Sequence, residues 1–165
     1  MNKTRSRKLL ILLSWAAVIF WLAFIFNLSA QPAVQSDVLS KKVTKAGIGA
    51  VEKVAPNSHF KPWKINKLLR KNAHFFTYLV LSVLVLNALR RSGFQGWRWF
   101  FLALGFCILY AVSDEIHQFY VPGRGAQIED MLIDSAGVLA GGILYQAVAK
   151  VKLLSGQLRR LQKNE

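Results

Sequence analysis

Between positions 110 and 134 the chain places Asp114, Glu115, His117, Gln118, Arg124, Asp130 and Asp134 at the junction of two otherwise apolar segments. Carboxylates beside an imidazole can hold a divalent cation through mixed oxygen and nitrogen ligands. They can also pass protons, with an arginine clamping an anionic group. Upstream, His74 and Tyr78 supply a second imidazole and a phenol four residues apart. If the flanking segments cross a bilayer, an unpaired charge there is expensive, and such a cluster marks a functional site by default. The elements that position these residues therefore decide what they can do.

The chain has 165 residues, of which 53% are hydrophobic. That share exceeds soluble usage only slightly, so distribution carries more weight than composition. Four stretches, 9–28, 73–89, 99–114 and 130–149, are almost free of charge. The first matches the roughly 20 residues that a bilayer core requires. Period-two alternation is absent, which excludes a membrane β-barrel. The expectation is an all-α polytopic membrane protein, a bundle of four transmembrane helices forming one domain over 1–165. Lys3, Arg5, Arg7 and Lys8 precede the first stretch as they would a signal peptide, and cleavage after Ala30 is the competing reading. The apolar run is longer than a signal-peptide core, which favours a retained span. The single cysteine, Cys107, excludes an intrachain disulfide and reads as packing.

The net charge of +14 is expected to face anionic lipid headgroups rather than nucleic acid, because no basic motif interleaved with aromatics lies outside the spans. Four spans put both termini on one side. The 22 basic residues divide almost evenly between the two sides. The N-terminal cations and Arg90-Arg91, directly after the second span, favour cytoplasmic termini. The loop 29–71 is then extracytoplasmic, and the basic tail 150–165 reads as a short cytoplasmic helix. Residues 36–54 mix apolar positions with lysines, as a helix lying on the lipid surface would, although Gly47 and Gly49 fit a solvated loop equally well. Pro56 and Pro62 are expected to hold the chain extended before the second span.

Chain direction brings the start of span two, the end of span three and the start of span four to one membrane face. His74 and Tyr78 share a helical stripe; Tyr110, Asp114 and His117 form another; Asp130, Asp134, Gly137 and Gly141 form a third. The Gly137-x-x-x-Gly141 pair is a small-residue face for close helix packing, and it turns the two aspartates into the bundle. Tyr78, Tyr110, Trp97 and Trp99 also suit packing or interface anchoring.

The strings Lys71-Asn72-Ala73-His74-Phe75-Phe76-Thr77-Tyr78, Asp114-Glu115-Ile116-His117-Gln118-Phe119 and Pro122-Gly123-Arg124, followed by Asp130 and Gly137, resemble the VanZ-like membrane proteins. The stretch 29–37 resembles the serine-containing segment of that family, and the likeness runs from about Phe26 to Tyr145. Asp134 departs from it, standing where an asparagine-like position is more usual. The resemblance implies a small multispanning protein of the bacterial plasma membrane with a cell-envelope role. The family takes its name from an accessory protein of glycopeptide, and specifically teicoplanin, resistance.

Two classes of function stay open. In the first, the cluster His74, Tyr78, Asp114, Glu115, His117, Gln118, Arg124, Asp130 and Asp134 binds a polar or lipid-linked envelope ligand, with Arg70, Lys71 and Arg124 around it. In the second, the chain is an intramembrane enzyme. It would use a divalent metal on candidates drawn from His74, His117, Asp114 and Asp130, or metal-free acid–base chemistry. The sequence lacks His-Glu-x-x-His, Gly-x-Ser-x-Gly and a phosphate-binding Gly-Lys-Ser/Thr loop. A purely structural network fastening three helix ends is the third reading. Interhelical polar contacts average only about 0.6 kcal/mol each, and this cluster holds more of them than fastening requires.

Overall fold

The computed structural model describes residues 3–34, 38, 41–42 and 62–162, and every regular element among them is helical. In chain order these are α1 (Lys3–Ser29), α2 (Pro62–Arg91), α3 (Trp97–Phe119) and α4 (Ile128–Leu161). All four are long and apolar enough to cross a membrane. The protein is thus an all-helical bundle of four candidate spans.

Around an apolar core that includes Leu81, Val85 and Val138, burial departs from that of a soluble domain. Large apolar side chains such as Leu12, Phe20, Phe101, Leu109, Leu132 and Ile143 face outward, whereas Ser82, Asp114, Glu115, Gln118, Asp130 and Asp134 are buried. Water would select against that arrangement and lipid selects for it, since lipid tails solvate leucine as well as a protein interior does.

The helices outrun their apolar cores. Pro62 does not hold the chain extended; it opens α2, where its missing N–H is no loss and its fixed φ suits a first helical residue. With 30 residues, α2 is about 45 Å long against a hydrocarbon core of about 30 Å, so its first turns, with Lys67, Arg70 and Lys71, rise above the lipid. At the opposite end the basic tail is not a separate helix. It continues α4 to Leu161, because Gln146-Ala-Val-Ala-Lys-Val-Lys-Leu-Leu contains nothing that stops a helix. The surface helix expected over 36–54 lies outside the described residues except for Val38, Lys41 and Lys42, which are helical and exposed.

The most extensive interface joins α2 and α4. Its depth depends on two glycines. A Cβ on Gly137 would collide with the Phe75 carbonyl oxygen, and one on Gly141 with the Leu79 carbonyl oxygen and Ser82 Oγ. Only hydrogen-sized side chains allow α4 to lie on the α2 backbone this closely. α1 is fastened by polar tips: Trp15 Nε1 donates to Ser92 Oγ at 3.0 Å, Trp21 Nε1 to the Thr77 carbonyl at 2.9 Å, and Tyr110 Oη to the Leu22 carbonyl at 2.8 Å.

Between α3 and α4, Val121-Pro122-Gly123-Arg124 makes a turn closed by the Arg124 N–H on the Val121 carbonyl at 3.0 Å. Gly123 has φ of 76°, the left-handed value that a type II turn needs at its third residue, and proline precedes it as that turn prefers. The residues after α1 dock here, through the Ala33 N–H on the Pro122 carbonyl at 3.3 Å.

Candidate functional site

The close of α1, the first half of α2, the close of α3 and the start of α4 meet at one end of the bundle. Asp114, Glu115 and Gln118 share a face of α3, because Gln118 follows the other two by four and three residues. The Gln118 amide Nε2 donates to Asp114 Oδ2 at 3.2 Å and to Glu115 Oε1 at 3.1 Å. Its carbonyl Oε1 accepts from Arg124 Nη1 at 3.1 Å. The same guanidinium nitrogen reaches the Ser29 carbonyl at 3.4 Å, tying the end of α1 to the turn. Glu115 Oε2 accepts the Gln127 backbone N–H at 2.9 Å, so α3 holds the chain just ahead of α4.

Deeper in, His74 Nδ1 lies 3.2 Å from Asp134 Oδ1. The pair is close enough for an ion pair but not aligned as a hydrogen bond, and both Asp134 oxygens are buried without a hydrogen-bond partner. One ligand atom each from His74, Glu115 and Asp134 fall within 4.8 Å of one another. Tyr78 is fully buried, and its hydroxyl likewise lacks a partner.

Two openings reach these groups. A small polar pocket of about 80 Å³ is walled by Arg70, His74, Gln118, Arg124, Gln127 and Asp130, with Ala33, Gly123 and Gly125 at its rim. A larger cleft of about 580 Å³ runs between α1 and α2, from Ile25, Leu28, Leu69 and Phe76 to Arg70, His74, Tyr78, Asp114 and Arg124. Burial, with Arg70 beside it, lowers the Arg124 guanidinium from its ordinary pKa, while Asp114, Glu115 and Asp130 act the other way. Arginine stays charged through such shifts. Outside this centre, Lys71 and Glu129 form an exposed ion pair.

His74, Tyr78, Asp114, Glu115, Gln118, Arg124, Asp130 and Asp134 are thus brought to one place. His117 is not. Its ring stacks on Phe26 with centroids 4.6 Å apart, and its Nδ1 is buried without a partner. At about 100° per residue, His117 falls roughly 160° around α3 from Glu115. The Tyr110–Asp114–His117 stripe is the seam against α1, where Tyr110 meets Leu22 and His117 meets Phe26. Of the metal candidates His74, His117, Asp114 and Asp130, only His74 joins the compact group, and its companions are Glu115 and Asp134. Gln118 braces the carboxylates and Arg124 rather than His117. Gly137 and Gly141 lie further along α4, against α2.

Arg70, expected around the cluster, sits one helical turn before His74 and lines the polar pocket with it. One contributor carried little signal in the sequence. Gln127 acts through its backbone N–H, to which residue type gives no clue.

No curated protein and no solved structure matches the chain. A family model described as VanZ/LLP1 matches residues 14–150, which takes in the two middle candidate spans whole, most of the first and the last, and every residue of the cluster, and the chain belongs to that family.

Proposed function

We propose that this protein is a cell-envelope receptor of the bacterial plasma membrane. It takes an anionic, lipid-linked molecule with the headgroup at Arg70 and Arg124 and the apolar chain in the cleft between α1 and α2. In this reading both termini are cytoplasmic, and the cluster opens on the outer face, where envelope precursors are displayed. A contribution to glycopeptide resistance, teicoplanin included, would act through that display.

The observation that carries the reading is the cleft itself. Its wall passes from Ile25, Leu28 and Phe76 to Arg70 and Arg124 within one continuous space. An amphipathic lipid has the same division, and a paired-arginine rim suits phosphate, which the planar guanidinium binds in bidentate fashion. Ser29 and Tyr78 line the cleft, and their hydroxyls are buried without a hydrogen-bond partner. Ser29 Oγ has no hydrogen-bond partner to act on it as a base, which favours binding over covalent turnover at that hydroxyl, since an activated nucleophile needs such a partner.

The test uses nanodiscs of phosphatidylcholine carrying a defined polyprenyl phosphate. Wild type is expected to retain the phosphate lipid through native mass spectrometry. Arg124→Gln removes one charge-assisted contact worth about 1.5–3 kcal/mol and should weaken retention roughly 10- to 150-fold. Equal retention by Arg124→Gln and Arg70→Gln would refute the assignment.

A further inference from the structure

We infer that His74, Glu115 and Asp134 form a binding site for one divalent transition-metal cation of the zinc or manganese type. Asp134 is the starting point. It is fully buried, and neither carboxylate oxygen has a hydrogen-bond partner. It lies six residues into α4, about 9 Å along the helix axis, where no bulk water reaches it. A carboxylate in such a place is kept by pairing, and His74 Nδ1 at 3.2 Å from Oδ1 leaves Oδ2 unmet.

The spacing suits a shared ion. Ligand atoms about 2.05 Å from a metal lie about 3.3 Å apart in a tetrahedron and about 2.9 Å apart in an octahedron. The Nδ1 to Oδ1 distance of 3.2 Å falls between these edges, and a Glu115 oxygen lies within 4.8 Å of a ligand atom of each residue, so the carboxylate has to move inward by about an ångström or less to share the ion. One imidazole and two carboxylates make a mixed donor set that suits zinc or manganese, whereas calcium and magnesium favour oxygen alone.

Glu115 is already braced as a ligand. Gln118 Nε2 holds Oε1 and the Gln127 N–H holds Oε2, while a carboxylate oxygen with two lone pairs keeps one for a metal. Charge points the same way. Asp114, Glu115, Asp130 and Asp134 are all buried, with the half-buried Arg124 joined to Asp114 and Glu115 through Gln118. Against those four carboxylates the guanidinium leaves a formal charge of −3, of which a doubly charged ion offsets two. His74 borders both the polar pocket and the cleft, so the positions the protein leaves free face the route by which water or a ligand oxygen arrives.

The experiment is metal counting on the full chain in detergent, stripped with EDTA, reloaded separately with Zn²⁺ or Mn²⁺, and passed through metal-free buffer. Wild type is expected to retain about one ion per chain, and Asp134→Asn at least tenfold less at the same elution volume. Gln118→Ala, which frees Glu115 along with Asp114 and Arg124 but removes no ligand, should weaken affinity by about 10–100-fold. No retained metal in wild type, or equal retention by Asp134→Asn, overturns the assignment. If Asp134→Asn does not fold, wild type alone decides. One equivalent of either ion should raise the unfolding temperature of the stripped protein, and an unchanged temperature with both ions overturns the site. No lipid is present at any stage, so failure here leaves the headgroup reading standing, and failure of lipid retention leaves the metal site standing.

Discussion

Replacing Gly137 with alanine adds one methyl group at the closest approach of α2 and α4. The three nearest atoms all belong to the Phe75 backbone, which cannot rotate away as a side chain could. To restore ordinary van der Waals contact the helices must separate by roughly 1 Å, a gap that forfeits about a quarter to a half of each affected dispersion well. Overpacking of this kind costs about 1–3 kcal/mol, and the extent of the α2–α4 interface places Gly137→Ala toward the upper end. Gly105 is the control. It lies inside α3 with nothing within 4 Å of a built Cβ, so Gly105→Ala should gain up to about 1 kcal/mol from helix propensity alone. Reversible unfolding in mixed micelles, followed by circular dichroism, measures both. Gly137→Ala within about 0.5 kcal/mol of wild type would refute the close-packing account. Because Asp134 lies one turn from Gly137, the same substitution should also impair whatever the His74 centre binds.

Three further outcomes are expected. Ala73→Phe fills the apolar part of the cleft from an exposed position; it should lower lipid retention in nanodiscs while shifting stability by less than about 0.5 kcal/mol. Tyr110→Phe removes the bond to the Leu22 carbonyl and should cost about 0.6 kcal/mol, at most about 1.7, in the same unfolding assay. Lys71→Met breaks an ion pair with the exposed Glu129, and a loss greater than about 1 kcal/mol, or one insensitive to salt, would contradict its surface character.

The four spans were legible because lipid imposes a simple rule: a charge-free run near 20 residues must be helical. Helix limits were not, since the apolar run marks only the hydrocarbon depth. Pro62 and Leu161 lie beyond it, where the backbone stays helical in water. In the site, periodicity placed Tyr110, Asp114 and His117 on one stripe of α3, and chain direction brought the end of that helix near His74 and Asp130. The partner of His74 was hidden. Asp114 and Asp130 looked equivalent to Glu115 and Asp134 on spacing, and only the close seating of α4 on α2 selects the second pair. His117 misled because its stripe is real but serves the α1 seam.

Gln118 spends its whole amide on two kinds of neighbour. Its nitrogen faces the acids Asp114 and Glu115, and its oxygen faces Arg124. The side chain therefore stands as an insulator between acid and guanidinium in one shared space, and its two ends cannot be exchanged without setting like against like. Glutamate has almost the same shape, yet at this position it would set a third carboxylate against Asp114 and Glu115. A single-atom exchange, amide nitrogen for oxygen, would turn two donated hydrogen bonds into repulsion.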